Sequence, residues 1–206
     1  MKKTRILFFV VLTALILWAL YIVVYDKKSQ YSFVREIEAY LEDKYNRDVT
    51  VLEYIPEYHG APAAKACFAD DPSLTFFSYS RNDYYFVTHL EEEAARILMD
   101  FFQECRIYTT VSLNAFDEME MERMMFYQEQ GRPISWYDPE CKEKLSRIHI
   151  SKTFDFTKKD AENMVNTVLE MFSKHLDDSV DIVLSGENCK YRCKFTADGD
   201  LIVEQQ

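Results

Sequence analysis

Residues 147–185 read "RIHISKTFDFTKKDAENMVNTVLEMFSKHLDDSVDIVLS". They contain both hydrophobic periods used by the chain. "RIHISKTF" (147–154) predicts a strand in which His149 alternates with Ile148 and Ile150. Thr157 and Asp160 then stand at capping-box spacing, with Asp in place of the usual Glu or Gln. Met164, Val165, Val168, Leu169, Phe172 and Leu176 recur at three and four, the apolar face of a helix. "SVDIVLS" (179–185) returns to strand. A helix between strands excludes an all-α or all-β chain.

Both flanks continue the pattern. C-terminally, "CKYRCKFT" (189–196) and "LIVEQ" (201–205) read as strands, with "DG" at 198–199 as a two-residue turn. N-terminally, Phe33, Val34, Ile37, Tyr40, Leu41 and Tyr45 mark an amphipathic helix stopped at Asn46. "VTVLEYI" (49–55) predicts a strand and "PEYHGAPAAKA" (56–66) a loop. "LTFFSYS" (74–80) and "YYFVTH" (84–89), joined by "RND", predict an aromatic hairpin. Glu91, Glu92 and Glu93 would open the next helix at the positive end of its dipole, with Ala94, Ile97, Leu98, Phe101, Phe102 and Cys105 as its stripe. "RIYTTVSL" (106–113) follows as a strand. "FDEMEMERMMFYQEQ" has a helical face of Phe116, Met119, Met124 and Tyr127, and "GRPISWYDPE" reads as a loop.

The predicted fold class is α+β: an N-terminal transmembrane helix, then antiparallel sheet with helices on one face. Residues 33–89 and 157–205 both read helix, strand, strand, strand. Two organisations are open, tandem helix-plus-three-strand modules (sub-modules 33–113 and 146–206) or one continuous domain over 29–206.

The transmembrane expectation comes from residues 6–25, "ILFFVVLTALILWALYIVVY", which carry no charge. A twenty-residue helix rises about 30 Å, the thickness of a bilayer's hydrocarbon. The run is too long for a secretory signal and has no A-x-A cleavage pattern. It is apolar on every face, unlike a core helix with its polar stripe. Trp18, Tyr21 and Tyr25 suit the headgroup layer. Lys2, Lys3 and Arg5 precede the run and Lys27 and Lys28 follow it, which favours a cytoplasmic N-terminus and an extracytoplasmic domain. Residues 1–28 are thus expected to form a short tail and single-pass signal-anchor, with the lipid bilayer as partner through residues 6–25.

The chain carries a net charge of −11, and residues 29–206 alone −15. Such a balance argues against nucleic acid and anionic lipid headgroups, whose binding relies on Lys and Arg. Aromatic residues make up 15% of the chain and Gly and Pro are scarce, so an ordered core is expected.

"VREIEAYLEDKYNRDVTVLEYI" (34–55) resembles the opening of uncharacterised membrane-anchored proteins of Gram-positive bacteria, in which a helix ending in a "YLEDKY"-like phrase enters a strand, as in PepSY-like α+β modules. That resemblance implies an inhibitory or regulatory binding role outside a bacterial cell. It carries over no catalytic residue.

Cys67, Cys105, Cys141, Cys189 and Cys193 all follow the apolar run. Cys189 and Cys193 sit on one face of "CKYRCKFT", about 13 Å apart if extended, too far to bond each other or share zinc. They read as buried thiols of a sheet core or as half-cystines paired with Cys67, Cys105 or Cys141; an odd count leaves one unpaired. "HLEEE" (89–93) lacks the second His of a zinc-protease helix. His59, His89, His149 and His175 read as structural. The acidic clusters 70–71, 117–122 and 177–181 lack EF-hand spacing. No nucleophile elbow, phosphate loop or S-x-x-K is present. No catalytic, cofactor-binding or metal-binding residue is therefore assigned. The expected function is non-catalytic binding of another envelope protein or peptide. An envelope hydrolase with dispersed carboxylates and histidines, or a thiol-dependent protein, is the alternative.

Overall fold

A single helix, α1 (Lys2–Tyr45), joins the apolar run to the amphipathic stretch after it. The computed structural model describes residues 2–58, 60–80, 82–112, 116–195 and 201–206, with the side chains of 2–12, 19, 116–118 and 195 outside the description. The predicted turn at 198–199 and His59 therefore lie outside the described residues. Every large apolar side chain described between Leu15 and Tyr25 is exposed. Among the described residues no helix is long and apolar enough to cross a membrane. The first seven side chains of the run are not among those residues.

The fold is α+β, and the chain divides into two units, Met1–Tyr84 and Tyr85–Gln206. In the first, Ile37, Leu41 and Tyr45, four residues apart, are the buried stripe of α1. Asn46, at φ 50°, ends the helix, its N–H donating to the Glu42 carbonyl at 2.8 Å. An antiparallel sheet follows in the order β1 (Val49–Tyr58), β2 (Ala61–Phe68), β3 (Asp71–Tyr79), β4 (Asn82–Asp83).

Two sequence expectations fail in this unit and just beyond it. The loop predicted over 56–66 is instead the end of β1 and most of β2, turning at Gly60, whose φ is 85°. Alanine is a weak strand former, but Ala63, Ala64 and Ala66 are completely buried in an inner strand, and burial outweighs propensity there. The aromatic hairpin over 74–89 is cut short: the strand returning beside β3 is the two-residue β4, Asn82 and Asp83, and "YFVTH" opens helix α2 (Tyr85–Phe101). Phe86, Leu90, Ala94 and Leu98 form a buried stripe at spacing four, which suits a helix and not a half-exposed strand.

Asp83 ties the end of α1 to β4. It is 2% exposed and accepts from Tyr45 Oη at 2.8 Å, Lys44 Nζ at 2.9 Å and Tyr40 Oη at 3.4 Å.

The second unit contains α2, β5 (Cys105–Val111), α3 (Phe116–Gln130), β6 (Leu145–Lys152), α4 (Lys158–Phe172), β7 (Leu176–Ser185), β8 (Lys190–Phe195) and β9 (Leu201–Gln205). The sheet order is β5-β6-β7-β8-β9. It is not wholly antiparallel as expected: β6 and β7 are parallel. A helix spanning the gap between two neighbouring strands returns the chain to its starting end, which makes the pair parallel. The capping box of α4 forms as the spacing predicts, Thr157 N–H donating to Asp160 at 2.8 Å and Asp160 N–H to Thr157 Oγ1 at 3.2 Å. One sheet face buries Ile107, Ile148, Ile150, Ile182, Leu184 and Cys193. Thr109, also on that face, donates to the Glu91 carbonyl of α2 at 2.6 Å. The alternate positions point away from this core, and Arg106 and Tyr108 on β5 and Lys190 and Lys194 on β8 are exposed there.

Asp83→Ala removes an acceptor shared by Tyr45, Lys44 and Tyr40 at a buried site. Urea unfolding should show a loss of roughly 1–3 kcal/mol, the cost of breaking a buried hydrogen-bond network. At Asp160 the Thr157 N–H and hydroxyl hold the carboxyl below its ordinary range. A depressed folded pKa contributes stability above the unfolded value, near about 4, and loses it as pH falls through the folded value. Asp160→Asn should therefore lower the thermal midpoint at neutral pH, and the gap to the parent should close on acidification.

Candidate functional site: two grooves beside the 131–144 loop

The loop from Gly131 to Lys144 is fastened along its length by side chains from several elements. Gly131, at φ 67°, ends α3, its N–H donating to the Tyr127 carbonyl at 2.9 Å. Arg132 forks onto Asp138 at 2.8 and 2.6 Å, and Asp138 accepts from Ser135 N–H at 2.7 Å. The guanidinium holds the Asp138 carboxyl below the usual range. From α2, Glu93 accepts from Ser135 Oγ at 2.6 Å and from Trp136 N–H at 3.0 Å. Trp136 is buried, donates Nε1–H to the Leu90 carbonyl at 2.7 Å, and sets its ring edge-on to Phe172 and His175.

The far end of the loop is fixed from α3. Arg123 and Glu143 are each 3% exposed and pair at 2.5 Å; Glu120 adds a contact to Arg123 at 3.3 Å. Glu143 also accepts from Lys142 N–H at 3.1 Å and from the Cys141 thiol at 3.5 Å. Among the described side chains of α3 the most deeply buried is thus a cation, while Met119, Met124 and Tyr127 are half-buried. Phe116 belongs to the side chains outside the description.

Grooves flank this braced segment. One, of about 310 Å³, has an apolar wall of Met119, Met125, Phe126 and Ile134 and a rim of Glu122, Glu129, Glu140 and Lys142. The other, of about 440 Å³, lies among Ile97, Phe101, Trp136, Tyr137, Met171 and Phe172, with Glu170, Lys174 and His175 beside them. Phe101 and Tyr137 are 62% and 75% exposed. Methionine adapts its shape to an apolar partner, and exposed aromatic rings bury a large area at low entropic cost.

The sequence-predicted cysteines are not brought together as a site. All five are free thiols: Cys67, Cys141 and Cys193 buried, Cys105 and Cys189 half-buried. Burial and the neighbouring Glu143 push the Cys141 thiol up to about 12, burial and Asp181 push Cys193 up to about 11, and burial raises Cys105. Nucleophilic thiol chemistry requires the opposite shift. Of the histidines, His89 is half-buried in α2 and His175 faces the Glu143 carbonyl at 3.3 Å. His149 Nε2 lies 3.0 Å from Ser185 Oγ. Among the described residues no carboxylate accepts from His149, and burial with Lys190 and Arg147 nearby lowers its pKa. The dyad lacks the acid that would stabilise an imidazolium. Among the described residues no three His, Cys, Asp or Glu side chains converge on one point.

Each acidic cluster contains a carboxylate paired with a cation. Asp70 pairs with Arg47 at 2.6 Å, Glu122 with Lys142 at 2.9 Å, and Asp181 with Arg192 at 2.7 Å. Glu91 and Glu93 are not at a helix start, because α2 begins at Tyr85. Glu91 accepts from Val111 N–H at 3.0 Å, and burial raises its carboxyl above the ordinary range. Sequence reasoning missed Glu93, Arg123, Trp136 and Glu143 as the loop's fastenings. Their partners are 20 to 46 positions away, beyond any local signature. Comparison with protein-family models, curated proteins and solved structures finds no match to the chain.

Arg123→Leu strands Glu143 in the interior and should cost roughly 3–5 kcal/mol in denaturant unfolding. The double replacement Arg123→Leu/Glu143→Leu should recover most of that loss, a coupling read from the four-variant cycle.

Proposed function

We propose that this chain is a membrane-tethered, non-catalytic binding protein. Residues 6–25 sit in a bilayer with the N-terminal Lys and Arg on the cytoplasmic side, and the domain beyond Lys28 lies outside and binds another envelope protein or peptide. The tether is supported by the uncharged run itself and by the exposure of its described side chains, which no described part of the chain covers. A water-exposed helix of this composition would leave a continuous apolar surface in solvent, which hydrocarbon removes.

The observation that carries the binding role is the braced loop between two apolar grooves. A prefixed wall loses little entropy when a partner docks, so burial of Tyr137, Phe101 and Met125 converts into affinity. The raised thiol pKa values and the incomplete His149–Ser185 pair weigh against thiol and hydrolase chemistry. The resemblance of residues 34–55 to PepSY-like modules belongs to the same proposal. So does the tandem organisation, in which α1 and α4 each lead into strands covered on one face.

Two experiments test this. Alkaline carbonate extraction should leave the native chain in the membrane pellet. Leu15→Arg/Leu17→Arg, each charge costing about 2.5–3.5 kcal/mol near a span's centre, should release it; a native chain in the supernatant defeats the tether. Photo-crosslinking residues placed at Met125 and Tyr137 in producing cells should each give a protein adduct, absent from a probe at Lys159. Lack of adducts at both groove positions defeats the binding role.

A further inference from the structure

The outward face of the second unit's sheet has a charge opposite to that of the chain. Residues 85–206 contain fourteen Lys and Arg and twenty-four Asp and Glu. Among the described residues paired in regular register, five of those cations, Arg106, Arg147, Lys190, Arg192 and Lys194, lie on outward strand positions, against the two acids Asp181 and Glu204. Arg147 and Arg192 side chains remain 64% and 39% exposed while sharing Asp181, which Arg192 grips at 2.7 and 3.0 Å and Arg147 approaches at 3.8 Å. Among the described residues Arg106, Lys190 and Lys194 have no carboxylate within ion-pair distance. Tyr108, 62% exposed and beside His149, adds an aromatic ring to the same face.

We propose that this face docks an acidic, extended segment of a partner protein. Asp181 shows how a carboxylate is held here, between guanidinium groups that retain free N–H donors for more. Arg106 on β5 and Lys190 on β8 lie in one register row, three strand spacings or about 14 Å apart, which is the reach of about four residues of extended chain. A segment crossing the strands thus meets cations at the spacing of its own side chains. Unpaired like charges on one face repel each other, and an anionic partner relieves that repulsion. A nucleic acid fits less well: its charge is fixed at every phosphate and would be set against Asp181 and Glu204, and one exposed ring gives no succession of stacking platforms. Acidic side chains of a peptide can be placed where cations await them.

The inference rests on the partner-binding reading and adds a second contact surface to it. It is tested on the full chain in nonionic detergent by fluorescence anisotropy with a labelled repeating Glu-Ser peptide. That peptide should bind, its Gln-Ser counterpart should not, and affinity should fall steeply with added salt. Arg106→Gln/Lys190→Gln/Lys194→Gln should weaken binding by about tenfold or more, about 1.4 kcal/mol, with an unchanged unfolding midpoint. Arg96→Gln/Lys158→Gln/Lys159→Gln, on α2 and α4 away from this face and from both grooves, should leave binding intact. Failure of the Glu-Ser peptide to bind, equal losses in both triple variants, or tighter binding of oligothymidylate overturns the proposal. Crosslinks at Met125 and Tyr137 that persist beside such a failure would sink this surface alone and leave the grooves standing.

Discussion

Burial of one face of α4 is the constraint from which the second unit follows. Ala161, Met164, Val165, Val168 and Phe172 leave water together, the larger of them each worth about 1.5–3 kcal/mol. A helix that must lie on a sheet, with β6 before it and β7 after it, makes those strands parallel neighbours. With the inner pair fixed, β5 joins beside β6, and β8 and β9 pair antiparallel beyond β7. Strand alternation then sets every other side chain outward, which gathers the five cations on one surface although they are scattered between positions 106 and 194.

Elsewhere the polar interior takes over the work of packing. Where α3 meets the loop, Arg123 is buried and held by Glu143, and Glu93 of α2 holds Ser135 and Trp136. Buried charges are tolerated only with partners at good geometry, so these contacts specify one path for the loop more than they add stability. That path separates the two grooves. Asp83 has the same part in the first unit, tying Tyr45 and Lys44 at the end of α1 to a two-residue strand that would otherwise have little to hold it.

Three features set the character of the molecule: an uncharged helical run, braced apolar grooves and a cationic sheet face on an acidic chain. Each presents chemistry that another molecule can satisfy. Among the described residues none gathers a nucleophile, a base and an orienting acid. The binding role proposed above draws on these three features.

Local pattern was enough for the amphipathic end of α1, its stop at Asn46, the capping box at Thr157, the helix α4 as far as Phe172 and most of the strands around it, because those depend on neighbours within a turn or two; Leu176, expected on the helix face, instead opens β7. The same reasoning failed at 56–66 and 84–89, where alanine and aromatic residues have propensities that tertiary burial overrode. It could not place Arg123 beside Glu143 or Glu93 beside Trp136, nor line up Arg106 with Lys190, since strand order and loop path decide those meetings. Sequence by itself determined the α+β class and most of its elements, as apolar periodicity is a local property. Tertiary structure alone decided the parallel pair, the grooves and the charged face, which arise from residues brought together only when distant segments exclude water in common.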